Sequence, residues 1–329
     1  MFEGQTVVIT GGTGSWGKQL TRTLLRYRPQ TIRILSRNEF SQVEMERAFA
    51  DTGRLQFFIG DVRDLDAVRK VCSGADYVFH LAALKHVPVC ERHPREAMKT
   101  NILGTQNIIQ ASIECGVKKV IDVSTDKAVE PINMYGITKA LGEKLILQAN
   151  AESQHTRFVC IRGGNVLGSH GSVVPLFIRQ LQNGHPITLT SRAMTRFFLT
   201  IEDAIDLLIH AATMSLGGET FVMRMPSCRM LDLASVIADY YGQNSPAIKE
   251  IGIRPGEKLH EVLVSRQEAP RTYRLDDRYF VVLPMDPNTD LVDRYGRLDP
   301  LALASYESNM QLLPENNIRA LLERGGFLA

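Results

Sequence analysis

A strand that breaks into a glycine-rich turn and resumes as a helix, all within the first thirty residues, limits what this chain can fold into. Gln5-Thr6-Val7-Val8-Ile9-Thr10 is apolar enough for a buried strand, and Gly11, Gly14 and Gly17 follow at once in GxxGxxG spacing, with Gly12, Thr13, Ser15 and Trp16 between them. Helical apolar spacing then runs to about Arg26. Glycines at such a turn let backbone N–H groups approach a pyrophosphate, which the positive end of the helix dipole also attracts.

The segments that follow fit a dinucleotide site. Ile32-Arg33-Ile34-Leu35 ends at Ser36-Arg37-Asn38, about twenty residues past the last glycine, where an NAD site usually carries an acidic residue for the ribose hydroxyls. A hydroxyl and a guanidinium suit a 2′-phosphate instead, so NADP is expected, with Glu39 as the one opposing residue. Leu55–Val62 ends in Asp61, able to accept from the adenine amine, and Tyr77–Ala83 ends in Leu81-Ala82-Ala83, small enough for a cofactor to lie close. Strand and helix patterns alternate to about residue 165, and shorter mixed elements follow. The expected fold is α/β, a Rossmann-type doubly wound parallel sheet over 1–165 that binds NADP, with a smaller mixed lobe over 166–329. From about Pro284 the chain reads as an extension that wraps the body or a neighbouring subunit.

Residues 124–139 carry the chemistry. Lys119–Ser124 is a short β-branched strand, Ser124-Thr125-Asp126-Lys127 follows at its carboxyl end, and a helical pattern begins after Pro131 with Tyr135-Gly136-Ile137-Thr138-Lys139. Tyr135 and Lys139 are four apart and share a helix face. The ammonium is expected to lower the phenol's pKa from near 10, which makes Tyr135 a candidate base.

In order and spacing, GxxGxxG, Asp61-Val62, Leu81-Ala82-Ala83, Asn101, Thr125 and the Tyr135/Lys139 pair resemble the extended short-chain dehydrogenase/reductase family, over nearly the whole chain. Within it, Ser124-Thr125-Asp126-Lys127-Ala128, Pro131-Ile132-Asn133 and Leu84-Lys85-His86-Val87-Pro88 look like the nucleotide-sugar 4,6-dehydratases acting on UDP-N-acetylglucosamine. The resemblance implies oxidation at C4 of the sugar with hydride passed to NADP, loss of the C5 proton and the C6 hydroxyl, and return of hydride to C6, so that a tightly bound cofactor is recycled. It assigns Tyr135 to the C4 hydroxyl, Thr125 to the C4 oxygen, and Lys139 to the nicotinamide ribose. Related dehydratases of glucose nucleotides carry Asp-Glu where this chain has Asp126-Lys127, which makes Asp126 the proton donor at C6 and Lys127 the base at C5. That role requires a neutral amine, favoured by burial and by a cationic Lys139. Met134-Tyr135 resembles the short relatives that invert C5 rather than those that retain it.

The second half carries further motifs of the same family. Asn165 follows a strand, and Ser172, Val173 and Val174 lead into a helix whose N–H groups face a diphosphate. Thr195 and Arg196 lie in Met194–Phe198, and Arg254 and Glu257 in Ile253–Lys258; the two arginines would bind diphosphate and Glu257 the ribose hydroxyls. Lys85 is within reach of sugar or cofactor. A 4-epimerase or reductase would share Tyr135 and Lys139 but has no use for Asp126 and Lys127 as an elimination couple, whereas a non-catalytic NADP sensor typically loses the tyrosine or lysine.

A net charge of +2 without a basic cluster indicates neither a nucleic-acid partner nor a membrane surface. No apolar run of 18 residues or secretory leader is present, so no membrane insertion and a cytoplasmic location are expected. Five widely spaced cysteines read as reduced thiols. His86, Cys90 and His93 have ligand-like spacing, but Pro88 interrupts the helix and no second cluster completes the set, so no metal is expected. The partners implied are a UDP-sugar and further copies of the chain, in a homo-oligomer of two or more, paired as in the family through helices near 97–115 and 136–150.

Overall fold

The computed structural model describes residues 1–168, 172–242 and 247–328. Six parallel strands come from the first half: β1 (Thr6–Thr10), β2 (Thr31–Ser36), β3 (Leu55–Ile59), β4 (Tyr77–His80), β5 (Lys119–Thr125) and β6 (Arg157–Gly163). They lie in the order 3-2-1-4-5-6. The order reverses between β1 and β4, and a crevice opens there beyond the strands' carboxyl ends.

Strand alternation builds a core on each face of this sheet. Val7 and Ile9 of β1, Phe79 of β4 and Ile121 of β5 pack on one side with Leu20 and Leu24 of the first helix, Ser15–Leu25. Val8, Val78 and Val120 point the other way, against Val68, Ile108 and Ile146. Both faces are covered, which is why these strands read as continuous apolar runs.

The sheet does not end at residue 165, where the sequence placed the boundary. Strand Thr220–Met223 adds to β6 in parallel, and Tyr279–Val282 and Thr272–Arg274 extend it antiparallel, giving nine strands. Helix Ile201–Met214 covers the β1 face through Ala204, Leu208 and Ala211. The smaller lobe has its own core, in which Val174, Phe177, Ile187, Phe198 and Leu233 meet Ile318 and Leu322 of the last helix, Glu315–Arg324. Sequence periodicity alone does not reveal that the chain leaves the sheet and returns, because a returning strand looks like any other.

Candidate active site

At the carboxyl edge of the sheet lies a cleft of about 790 Å³, a size suited to a bound ligand. It is lined by every cofactor residue expected from the sequence except Asn101 and Lys139. Gly11 has φ +65°, and a Cβ on Gly17 would stand 2.2 Å from the Gly12 carbonyl oxygen, so neither position tolerates a side chain. Helix Ser15–Leu25 starts at Gly14 with no side-chain cap, and the positive end of its dipole suits an anion. These features fit a dinucleotide.

At the end of β2 the Ser36 hydroxyl accepts from Gln42 at 3.0 Å, and Asn38 caps helix Glu39–Ala48 through Ser41 N at 2.9 Å. Arg37 is half-exposed and reaches Asp61 at 3.7 Å. Burial acts to raise the Asp61 carboxyl, but the hydrogen bonds and charge of Arg63, with Arg37 beyond, hold it below the usual carboxylate range. Glu39 is not among the residues that line the cleft.

The end of β5 and the helix Met134–Glu152 form the opposite wall. Asn133 caps that helix, accepting from Gly136 N at 2.8 Å, and donates to the Gly256 carbonyl at 2.7 Å, which ties the 253–258 loop over the helix start. Thr125 donates to Asp126 Oδ1 at 2.9 Å and accepts from Lys127 N. Lys127 Nζ lies 3.0 Å from the same Asp126 oxygen and 3.4 Å from Glu261 Oε1. Thr125, Lys127 and Tyr135 line the cleft; Asp126 is fully buried behind them.

Two electrostatic expectations are corrected. Burial pushes the Tyr135 phenol up, and the opposing pull of Lys139 and Lys127 is smaller. Lys139 faces Asp122, 3.2 Å away and fully buried, so much of its charge is neutralised. Lys127 is not poised as a neutral amine either. Burial acts to lower it, but Asp126 and Glu261 together raise it above an ordinary lysine and hold it as an ammonium. Asp126 itself is pushed up, first by burial and then by Glu261, against the pull of Lys127. Glu261 goes the other way: burial would raise it, but Lys127, Arg196 and Lys258 hold it low.

In the smaller lobe, Asn165, Ser172, Val173, Arg196, Arg254 and Glu257 line the cleft. Val174 also borders it, but its side chain is buried in the lobe's core. Arg196 is less free than a diphosphate ligand should be, because it donates to the carbonyls of Thr195, Lys258 and Leu259 and sits 3.7 Å from Glu261. Thr195 is buried off the cleft, its hydroxyl bonded to His260 at 2.8 Å and Ser308 at 2.6 Å. Asn101 likewise stands behind the wall and fixes Leu84 through its backbone N–H and C=O at 2.8 and 2.9 Å. Arg254 is half-exposed, 3.8 Å from Glu257. Buried polar atoms without a partner gather on this cleft, among them Ser124 Oγ, Ser172 Oγ, Glu257 Oε2 and Glu261 Oε2. Such atoms are costly unless a ligand satisfies them.

Sequence reasoning missed Glu261, Asp122 and the role of Arg162. Arg162 on β6 makes paired bonds of 2.9 and 2.7 Å to Glu143 and 2.9 and 2.7 Å to Glu268, fastening helix Met134–Glu152 to the segment that follows Glu261. The available signal was a charged residue inside an apolar strand, as in Val120-Ile121-Asp122-Val123.

A 3-2-1-4-5-6 sheet with a glycine turn at its switch point and a Tyr-x-x-x-Lys helix on the facing wall defines an extended short-chain dehydrogenase/reductase. Within that class the chain belongs to the polysaccharide biosynthesis protein family, whose sequence profile matches residues 7–283. It is 43% identical to the UDP-N-acetylglucosamine 4,6-dehydratase (inverting) of Campylobacter jejuni subsp. jejuni serotype O:23/36, over 89% of this chain and 86% of that protein. It is 45% identical to an uncharacterized membrane protein of Methanocaldococcus jannaschii, over 86% and 87% of the two chains. A UDP-glucose 4-epimerase of Rickettsia canadensis is 42% identical over 87% and 84%. Among solved structures, Pen from Bacillus thuringiensis superposes with a TM-score of 0.90 at 36% identity, covering 98% of this chain and 99% of that one.

Proposed function

We propose that this protein is an NADP-dependent UDP-N-acetylglucosamine 4,6-dehydratase that inverts C5, forming a UDP-2-acetamido-2,6-dideoxy-4-keto-hexose for surface glycan biosynthesis. The observation that carries this reading is the cluster of Lys127 and Glu261 beside Tyr135 on one cleft, with Asp126 buried directly behind Lys127. An epimerase takes hydride from C4 and gives it back, and needs no buried acid–base group for C5 and C6. The name of the Campylobacter relative supports both the reaction and the inversion.

NADP, when bound, accepts and returns the hydride. Arg37 and Ser36 would hold its 2′-phosphate and the turn Gly11–Gly17 its pyrophosphate, with Leu81, Ala82, Ala83 and Lys85 along the nicotinamide side. Tyr135 would remove the C4 hydroxyl proton, with Thr125 bonded to the C4 oxygen. The Lys139 ammonium acts to lower the phenol against its burial and so favours that transfer. Asp126, raised by burial, suits a proton donor to the departing C6 oxygen. Ser172, Arg196, Arg254 and Glu257 would face the nucleotide.

Exposed Leu103, Ile113, Ile137 and Leu141 on and beside helices Gly104–Glu114 and Met134–Glu152 support pairing with a second copy there. Among the described residues no helix is long and apolar enough to cross a membrane.

Proton NMR of the purified protein with UDP-N-acetylglucosamine in deuterated water, without added cofactor, tests the reading. A 6-deoxy-4-keto product bearing deuterium at C5 is expected, with coupling across C5 that reports inversion. UDP-N-acetylgalactosamine as sole product would instead establish the 4-epimerase, the reading favoured by the Rickettsia relative.

A further inference from the structure

Asp122 stands inside the apolar run of β5, does not border the cleft, and has no part in the chemistry described so far. It is paired in register with His80 of β4 on one side and Cys160 of β6 on the other, so the three side chains share one face of the sheet, under helix Met134–Glu152. Lys139 of that helix reaches down to it, with Nζ 3.2 Å from Oδ2 and 3.4 Å from Oδ1, and both side chains are buried. Tyr135 lies one turn earlier on the same helix and lines the cleft, which Lys139 does not.

The neighbouring groups are committed elsewhere. His80 is held between Thr10 and Thr105, and burial pulls it down to about 4, which leaves it uncharged. Burial pushes the Cys160 thiol well up, and Glu143 is bonded twice to Arg162. Among the described residues, Asp122 is the sole ion-pair partner of Lys139. An ammonium in such a place needs one, because full burial alone takes a lysine down by about 3–5 pH units. Here burial acts to lower Lys139, and Asp122 foremost outweighs it and holds the amine above an ordinary lysine. Lys139 in turn leads the groups that act to lower Tyr135 against its burial.

We propose that Asp122 is a positioning residue for oxidation at C4: it anchors Lys139 beneath Tyr135 and keeps it an ammonium. This rests on the proposed function only for the removal of the C4 hydroxyl proton by Tyr135, a step that a 4-epimerase shares. Asp122 acts through Lys139 alone. Without its carboxylate the buried amine sheds its proton at ordinary pH, and Tyr135 loses the cation that most opposes its burial. Because β5 is bonded between β4 and β6, the anchor is fixed by the sheet, and the ammonium is aimed before any ligand arrives.

The test titrates Lys139 directly and then follows oxidation at C4. Protein carrying lysine labelled with carbon-13 at Cε, with the Lys139 resonance assigned through K139M, is titrated by NMR for the wild type, D122N, D122S and D122E. Wild-type Lys139 is expected to stay charged beyond about pH 10. D122N and D122S should lose that proton about two units lower or more, and D122E should recover most of the shift. In stopped flow with UDP-N-acetylglucosamine, nicotinamide reduction in D122N should be about 10-fold slower at pH 9 than at pH 7, as for a buried lysine lowered to near 8. The wild-type rate should not fall across that span. D122S carries the same expectations if D122N does not fold. A Lys139 that titrates alike with and without the carboxylate overturns the assignment, as does a wild-type Lys139 that titrates below about pH 9. A variant rate lowered by the same factor at every pH overturns it in favour of a purely structural role. A wild type that only epimerises refutes the dehydratase reading, yet the lysine titration needs no substrate, so a lowered Lys139 in D122N still upholds Asp122 and an unmoved one still overturns it.

Discussion

The two ends of the cleft are built differently. The cofactor end uses backbone: a glycine turn, the start of a helix and the small residues after β4, all set by neighbours close in sequence. The sugar end uses charged side chains whose states are set by contacts between segments more than a hundred residues apart, such as Lys127 with Glu261 and Asn133 with Gly256. Backbone sites tolerate change where the fold tolerates it, while charge clusters fail when one partner is lost.

Breaking the sugar end should leave the cofactor end intact. Tyr135→Phe removes the group proposed to act at the C4 hydroxyl, so turnover should fall by about 10³-fold while the protein still retains its dinucleotide, as read by absorbance of the purified protein and stopped-flow reduction. Lys127→Ala leaves Asp126 and Glu261 facing each other without their cation. Water loss should drop by about 10²-fold with C4 oxidation less affected, measured by single-turnover NMR; water loss at the wild-type rate would remove Lys127 from the mechanism.

The cofactor end can be perturbed separately. Arg37→Ala should weaken NADP binding by about 10-fold, the loss of a charge-assisted hydrogen bond, and leave NAD binding unchanged in calorimetric titration. An equal loss for both cofactors would mean that Arg37 does not read the 2′-phosphate.

The smallest effect concerns pH. His80 is buried between Thr10, 2.7 Å from Nδ1, and Thr105, 3.3 Å from Nε2, and burial pulls its pKa down to about 4 from 6.5. A depressed value in the folded protein means stability present above pH 6.5 and lost as pH falls toward 4. Urea midpoints should decline over that window, and His80→Gln should flatten part of the decline. The sugar-end variants should leave this slope alone.

The same contrast explains what the sequence made legible. Gly11, Gly14 and Gly17, the strand ends at Asp61 and Ala82, and the Tyr135/Lys139 spacing were readable because close backbone approach and helix periodicity restrict residue choice locally. All of these lie on or beside the cleft. Glu261 and Asp122 were not readable, since a carboxylate's role depends on which cation the fold brings to it. The charge state expected of Lys127 failed for the same reason: Asp126 was visible one position away, but the second carboxylate was not. Arg162 is visible in the sequence as a charge in an apolar strand, yet its work on Glu143 and Glu268 needed three segments in contact. The boundary at residue 165 failed because the sheet recruits strands from far downstream.

The Arg162 clamp also bears on the order in which a growing polypeptide matures. Domains tend to organise from the amino terminus during synthesis, and β1 to β6 are complete once Gly163 has emerged. Glu143 is then in place for Arg162, but Glu268 lies another 106 positions along, and so does nearly the whole of the Glu261 segment. A nascent chain can therefore assemble its dinucleotide turn early, yet it holds Lys127 against Asp126 alone until late in translation. The charged cluster proposed to act on the sugar therefore closes only when the last third of the message has been read.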